Sequence, residues 1–192
     1  MKVPARGGRS RAFATIAVLV TIALVGVGAS PAEAIPIQRG QSTLILDQDI
    51  FSGLDPLGIG ILPIAPAEAT LGGESFPITG GRVSPDRTRA RINHVGGIDF
   101  AGDNASVRVV RLRVRLCCRN SELTASVDGQ RMSFLALGRG VRTSRGRRLT
   151  YRRIGAFLTL EAANALNQAF ATDFFQEGTR LGSLRIRMTL GL

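Results

Sequence analysis

From Val107 to Leu116, arginine and aliphatic side chains take turns: Val110, Leu112, Val114 and Leu116 fall on one side of an extended chain, and Arg111, Arg113 and Arg115 on the other. Successive side chains in a strand point to opposite faces, so this stretch buries one face and wets the other only as a β-strand. A helix of the same sequence would spread its arginines around the whole circumference. One wet face also calls for an antiparallel sheet, because parallel sheets are covered on both sides. The alternation returns near the end of the chain, where Leu184, Ile186 and Met188 oppose Arg185, Arg187 and Thr189. Upstream of Val110 the phase reverses, with Val107 and Val109 apolar around Arg108, and this predicts a β-bulge near Val109-Val110.

Around these anchors the chain reads as many short strands. Ser42 to Leu46 and Ile59 to Ile64 are strand-like, with one or two helical turns between Asp47 and Leu57. Pro63, Pro66, Pro77, Gly72-Gly73 and Gly80-Gly81 break the next region into turns, leaving extended pieces at Phe76 to Thr79 and Arg82 to Ser84. Arg89 to His94, where Arg89, Arg91 and Asn93 alternate with Ala90, Ile92 and His94, a turn at Val95-Gly96-Gly97-Ile98, and Asp99-Phe100 read as a hairpin; Glu122 to Val127, Asp128-Gly129 and Met132 to Leu137 read as another. Arg139 to Arg148 is Gly/Arg/Ser-rich and reads as an exposed loop before a strand at Leu149 to Leu158. One helix stands out, with Thr159 as N-cap, Glu161 in its first turn and Ala163, Leu166, Phe170 and Phe174 along one face, ending at Gly178. A last strand runs from Leu181 to Leu190. The expected fold is mainly β, an antiparallel β-sandwich or partly open barrel with this one helix of the C-terminal half packed on it.

Residues 1–34 have the order of a secretory signal peptide: Lys2, Arg6, Arg9 and Arg11, the uncharged apolar run Phe13 to Val27, and Ala32-Glu33-Ala34 as a cleavage pattern. The apolar run is shorter than the about 20 residues of a membrane span. Arg9 and Arg11 are split by Ser10, which favours the general secretory route. The expectation is export with cleavage after Ala34, no membrane span afterwards, and one extracellular domain over 35–192. Four of the 25 basic residues and one of the 14 acidic ones fall in the leader, so 21 basic residues, all Arg, remain against 13 acidic ones. Arginine forks suit phosphate and carboxylate. Specific nucleic-acid recognition is not expected, since the chain has no Trp and one Tyr to stack on bases. Adjacent Cys117 and Cys118 in a strand point to opposite faces, Cys118 inward and Cys117 outward beside Arg115 and Arg119, so Cys117 is expected to form an intermolecular disulfide, and hence a linked dimer, or to stand as a reactive thiol.

No catalytic constellation is legible. A Gly-x-Ser-x-Gly elbow and a Gly-Lys-Ser/Thr phosphate loop are absent, the acidic residues are scattered, and one His with two adjacent Cys lacks the spacing of a zinc site. His94 and Tyr151, the single His and the single Tyr, read first as packing residues, one bonded to backbone at a Gly-Gly turn and the other half-buried at a strand rim.

The segments Ile78-Thr79-Gly80-Gly81-Arg82-Val83 and Ile92-Asn93-His94-Val95-Gly96-Gly97-Ile98-Asp99-Phe100 resemble a group of actinobacterial secreted proteins, and through them the HtaA-type haem-binding domain of actinobacterial surface proteins. The likeness continues through Leu158-Thr159, Ala162-Ala163-Asn164-Ala165-Leu166-Asn167 and Gly182-Ser183-Leu184. It implies a β-rich domain with a His-x-Gly turn, here that of His94. The family holds haem iron with a Tyr in an N-terminal segment containing Trp, whereas this chain has no Trp and no Tyr before residue 151.

The functional expectation is a secreted, non-enzymatic binding domain of the cell envelope without a cofactor. It would meet an anionic cell-wall polymer or another surface protein through Arg111, Arg113 and Arg115, joined by Arg185 and Arg187 if the two strands are neighbours. The alternative is a haem or small apolar ligand pocket between sheet and helix, with Tyr151 as iron ligand and His94 as its support. An enzyme of a type the sequence does not reveal is the third reading.

Overall fold

The computed structural model describes residues 33–117 and 119–191, so residues 1–32 of the expected signal peptide and the inward placement read for Cys118 lie outside the described residues. In chain order the elements are β1 (Ile35–Leu46), α1 (Gln48–Leu54) with a 3₁₀ turn at Asp55–Leu57, β2 (Gly60–Ile64), β3 (Glu68–Thr70), β4 (Gly73–Val83), β5 (Ala90–His94) and β6 (Gly97–Ala101). They continue with β7 (Ser106–Leu116), β8 (Ser121–Val127), β9 (Gln130–Leu137), β10 (Val141–Arg145), β11 (Arg148–Leu158), α2 (Leu160–Phe170) and β12 (Arg180–Leu190). Eight strands close into an antiparallel barrel in the order β1, β4, β5, β7, β8, β9, β11, β12 and back to β1. The expected β-rich fold with one well-formed helix is therefore realised as a barrel, with β2, β3, β6 and β10 as additions to its wall.

The alternation that opened the argument accounts for the wall. On β7, Leu112, Val114 and Leu116 are buried, while Arg111, Arg113 and Arg115 are exposed. Ile92 of β5, Leu149, Ile154 and Ala156 of β11, and Ile186 of β12 fill the interior with at most 1% of their surface exposed. The β7 bulge lies at Arg111, one step beyond the predicted place: Arg111 has φ 54° and the pairing with β8 shifts between Val110 and Arg113. Both helices sit at one end of the barrel. Thr159 caps α2 as read, its hydroxyl accepting from the Ala162 N–H at 3.2 Å and donating to the Ser133 carbonyl at 2.5 Å. Ala162, Ala163 and Leu166 of α2 are buried, and Phe100, Phe134 and Phe175 form an aromatic cluster within the core, with centroids 6.2 and 6.4 Å apart.

Four local readings are corrected. Ala90 to Phe100 is not a hairpin: β5 and β6 do not pair with each other but run in line along β7, residues 90–93 opposite 116–113 and 97–101 opposite 110–106. Gly97 is required there because a Cβ would fall 2.2 Å from the Val109 carbonyl oxygen, so the glycine serves close strand passage rather than a turn. Gly80-Gly81 is likewise inside the single long strand β4, where a Cβ on Gly81 (φ 142°) would meet the Arg91 carbonyl oxygen at 2.1 Å. The segment read as an exposed loop holds β10, which continues the line of β9 along β11. Finally α2 stops at Phe170, with Ala171 in the left-handed conformation (φ 49°), well before Gly178. The Asn167 side chain then holds the backbone of Phe175 through two bonds of 2.7 and 3.0 Å, which turns the chain back over the barrel end.

Candidate functional site

At the end of the barrel away from the helices the wall parts. There β9 pairs with β8, but its continuation β10 pairs only with β11, leaving an opening between β10 and the junction of β7 with β8. The opening is a cleft of about 560 Å³, within the size range of small-molecule sites. Leu116, Leu137, Ile154 and Tyr151 give it apolar walls, and Arg119, Arg139 and Arg142 line it with positive charge. The β4–β5 loop crosses beside it as a strap: the Tyr151 hydroxyl donates to the Arg87 carbonyl at 2.9 Å, Arg142 donates to the Asp86 carbonyl at 3.2 Å, and Arg87 donates to the Ser144 hydroxyl. Within the strap the Asp86 carboxylate accepts bonds from Ser84 and Thr88, which bring its pKa down to about 2.

Tyr151 is more enclosed than a rim residue, with 6% of its surface exposed. Burial raises its pKa, the nearby Arg142 opposes the shift and Asp86 reinforces it, so the phenol stays protonated at neutral pH. Cys117 also lines the cleft, just past the end of β7. It is half-buried, with no disulfide among the described residues, and its thiol donates to the Asn120 carbonyl at 2.8 Å, while Ser121 bridges its backbone N–H and C=O at 3.0 Å each.

His94 is elsewhere. It is 7% exposed on β5 and shares a 2.7 Å hydrogen bond between its Nε2 and the Ser42 hydroxyl of β1; among the described residues Nδ1 has no side-chain or solvent partner. Burial lowers its pKa to about 4, a shift the Leu112 backbone opposes in part. Ser42, Ile186 and Tyr151 share one register row across β1, β12 and β11, so the buried Ile186 stands between Tyr151 and the partner of His94. The pairing of Tyr151 with a supporting His94 therefore does not form. Nor does the expected pocket between sheet and helix: the barrel's helix end is packed with Phe134, Phe175 and Leu166, and the Tyr151 cleft lies at the other end.

The single arginine face is also divided. Three strands, β5, β4 and β1, separate Arg111, Arg113 and Arg115 on β7 from Arg185 and Arg187 on β12. What the sequence reading left out of any site is Arg82, Arg91, Arg139, Arg142 and Ser42, while Arg119 was placed only as a neighbour of Cys117. Their strands meet only through long-range pairing, and Arg139 and Arg142 sat in an apparent loop. Among the described residues no cluster of His, Cys, Asp or Glu is arranged to hold a metal ion, and no helix is long and apolar enough to cross a membrane.

No protein-family model and no curated protein matches the chain. Solved structures do. The C-terminal domain of HtaA from Corynebacterium glutamicum superposes with a TM-score of 0.66 at 17% identity, over 82% of this chain and 99% of that one. The N-terminal domain of the same protein gives 0.63 at 12% identity, over 81% and 99%. The haem-binding protein HtaB of that organism gives 0.52 at 11% identity, over 83% and 96%. These neighbours agree with the resemblance seen at Ile78–Val83 and Ile92–Phe100, and the described chain has the fold of the HtaA-type domains.

Proposed function

We propose that this is a non-catalytic, exported binding domain for a flat, largely apolar ligand with anionic substituents, haem being the first member of that class to test. The observation that carries the reading is the cleft at the barrel mouth, where apolar walls meet three arginines and the hydroxyl of Tyr151. Its residues suit haem in shape and charge: Leu116, Leu137 and Ile154 against the ring, and Arg119, Arg139 and Arg142 toward carboxylates. The likeness in fold to a protein described as haem-binding supports the same choice. Bound haem would supply a Lewis-acidic iron, for which Tyr151 is the oxygen donor in the cleft. Its hydroxyl must first leave the Arg87 carbonyl, so the strap and the ligand compete for one group. His94, sealed behind Ser42, has a structural role in this reading.

Absorbance titration of the chain from Ile35 onward with haemin tests it, since that chain contains the whole ring of strands. A saturable, sharpened Soret band is expected. Tyr151→Phe should change the band's position. Reversing Arg139 and Arg142 to Glu should weaken binding by about ten-fold or more, the size expected for lost charge-assisted hydrogen bonds. A Tyr151→Phe spectrum identical to wild type rules out the phenol as ligand, and absorbance no different from free haemin sinks the reading.

A further inference from the structure

On the barrel wall formed by β4, β5, β7 and β8, Arg82, Arg91 and Arg115 lie directly opposite one another in one register row, which ends at Glu122. Neighbouring strands are about 4.8 Å apart, so three guanidinium stems rise side by side on adjacent strands. Like charges in direct cross-strand opposition destabilise a sheet. The row offers one counter-charge: Glu122 bonds Arg115 at 2.9 Å, and Arg82 and Arg91, both exposed, form no salt bridge among the described residues.

The adjacent row sets Asn93 and Thr124 on either side of Arg113, and it begins at Gly80, where no side chain stands. Beyond it Arg131 donates to the Arg111 carbonyl at 3.1 Å and to the Thr124 hydroxyl at 2.5 Å. Desolvation first, and then the charges of Arg113 and Arg111, make the Arg131 guanidinium easier to deprotonate. Between the rows runs a groove of about 570 Å³ lined by Gly81, Arg82, Arg91, Asn93, Arg113 and Thr124, among others.

We infer that this groove binds a linear polymer bearing phosphate groups. The two free oxygens of a chain phosphate leave a tetrahedral centre in different planes, so two guanidinium forks one strand apart can each take one, whereas a carboxylate presents both oxygens in a single plane to one fork. The amide of Asn93 adds a neutral donor beside the arginines. The inference does not depend on the mouth cleft, whose lining shares no residue with the groove.

The test is calorimetric titration of the chain from Ile35 with inorganic polyphosphate at low ionic strength, repeated with poly-glutamate of equal charge. Arg91→Glu with Arg113→Glu should lower polyphosphate affinity by more than about ten-fold. Arg148→Glu with Arg187→Glu, exposed positions on β11 and β12, makes the same change in net charge and should lower it by less than about three-fold. The neutral pair Arg91→Gln and Arg113→Gln should fall between, and haemin titration of all three should match the unaltered chain. No polyphosphate binding, or equal losses in the two reversed pairs, overturns the site. Poly-glutamate binding as tightly as polyphosphate overturns its assignment to phosphate.

Discussion

Burial beside Ser42 holds the His94 imidazole at a pKa of about 4, against 6.5 for a free histidine. As pH falls through 6.5 the unfolded chain takes up a proton that the native barrel accepts only near 4. The unfolded state therefore binds more protons in that window, and stability is lost from pH 6.5 down to 4. Above 6.5 both states are neutral at this residue and nothing changes. The full loss is about 3 kcal/mol by the usual conversion of pKa difference to free energy. Glu74, also buried and with its Oε2 unpartnered among the described residues, has a pKa raised by desolvation and acts in the opposite sense, its native state losing stability as pH rises above 4.5. The Asp86 contribution disappears only below 3.8. Urea unfolding of Glu74→Gln between pH 7 and 4.5 should thus show a falling stability, and adding His94→Asn should flatten it. An unchanged slope in the double variant would assign the proton to another group. The sequence reading placed the imidazole against backbone at a Gly-Gly turn, whereas its Nε2 meets the Ser42 hydroxyl. That partner was not legible, because Ser42 lies 52 positions away and a serine in a strand carries no signal of what it will face.

Elements whose own residues alternate were readable, and partners were not. Strands β7, β11 and β12 and the β8–β9 hairpin follow from side-chain period, and the α2 start from Thr159. By contrast Val141–Arg145 is exposed at every position, so no hydrophobic period marks β10 as a strand; pairing with β11 alone makes it one. Gly96-Gly97 looks the same in sequence whether it turns a hairpin or lets β5 and β6 pass close to β7. The cleft suffered from both effects, since it opens where β10 leaves β8. Helix α2 offers an element-scale check in which burial should outweigh helix propensity. Leu166 is fully buried and Leu160, in the same helix, is 54% exposed. Leu166→Ala should cost about 2–5 kcal/mol through lost transfer energy and a cavity, while Leu160→Ala should stay within about 0.5 kcal/mol. Urea midpoints measured in parallel decide it, and equal effects would mean that α2 is not packed on the barrel as described.

Closing the barrel joins the two ends of the domain: Ile37 of β1 pairs with Leu190 of β12, and Leu44 with Leu184. The seam is formed by residues nearly the whole domain apart, whereas Leu123 and Leu135 meet across the local β8–β9 hairpin. Bringing distant segments together carries a loop-closure entropy that local contacts do not, so folding dominated by such pairings runs in about milliseconds to seconds. The hairpin should therefore be formed in the transition state and the seam completed after it. Leu123 and Leu44 are both buried, at 6% and 3% exposure, so truncating either to alanine gives a destabilisation large enough to apportion between rates. Leu123→Ala should slow refolding with little change in the unfolding rate. Leu44→Ala should leave refolding nearly unchanged and speed unfolding, as expected where native contacts form late. Stopped-flow chevrons of the two variants separate the cases. Slowed refolding in Leu44→Ala would mean that β1 and β12 meet early and that the rest of the ring is assembled onto their seam.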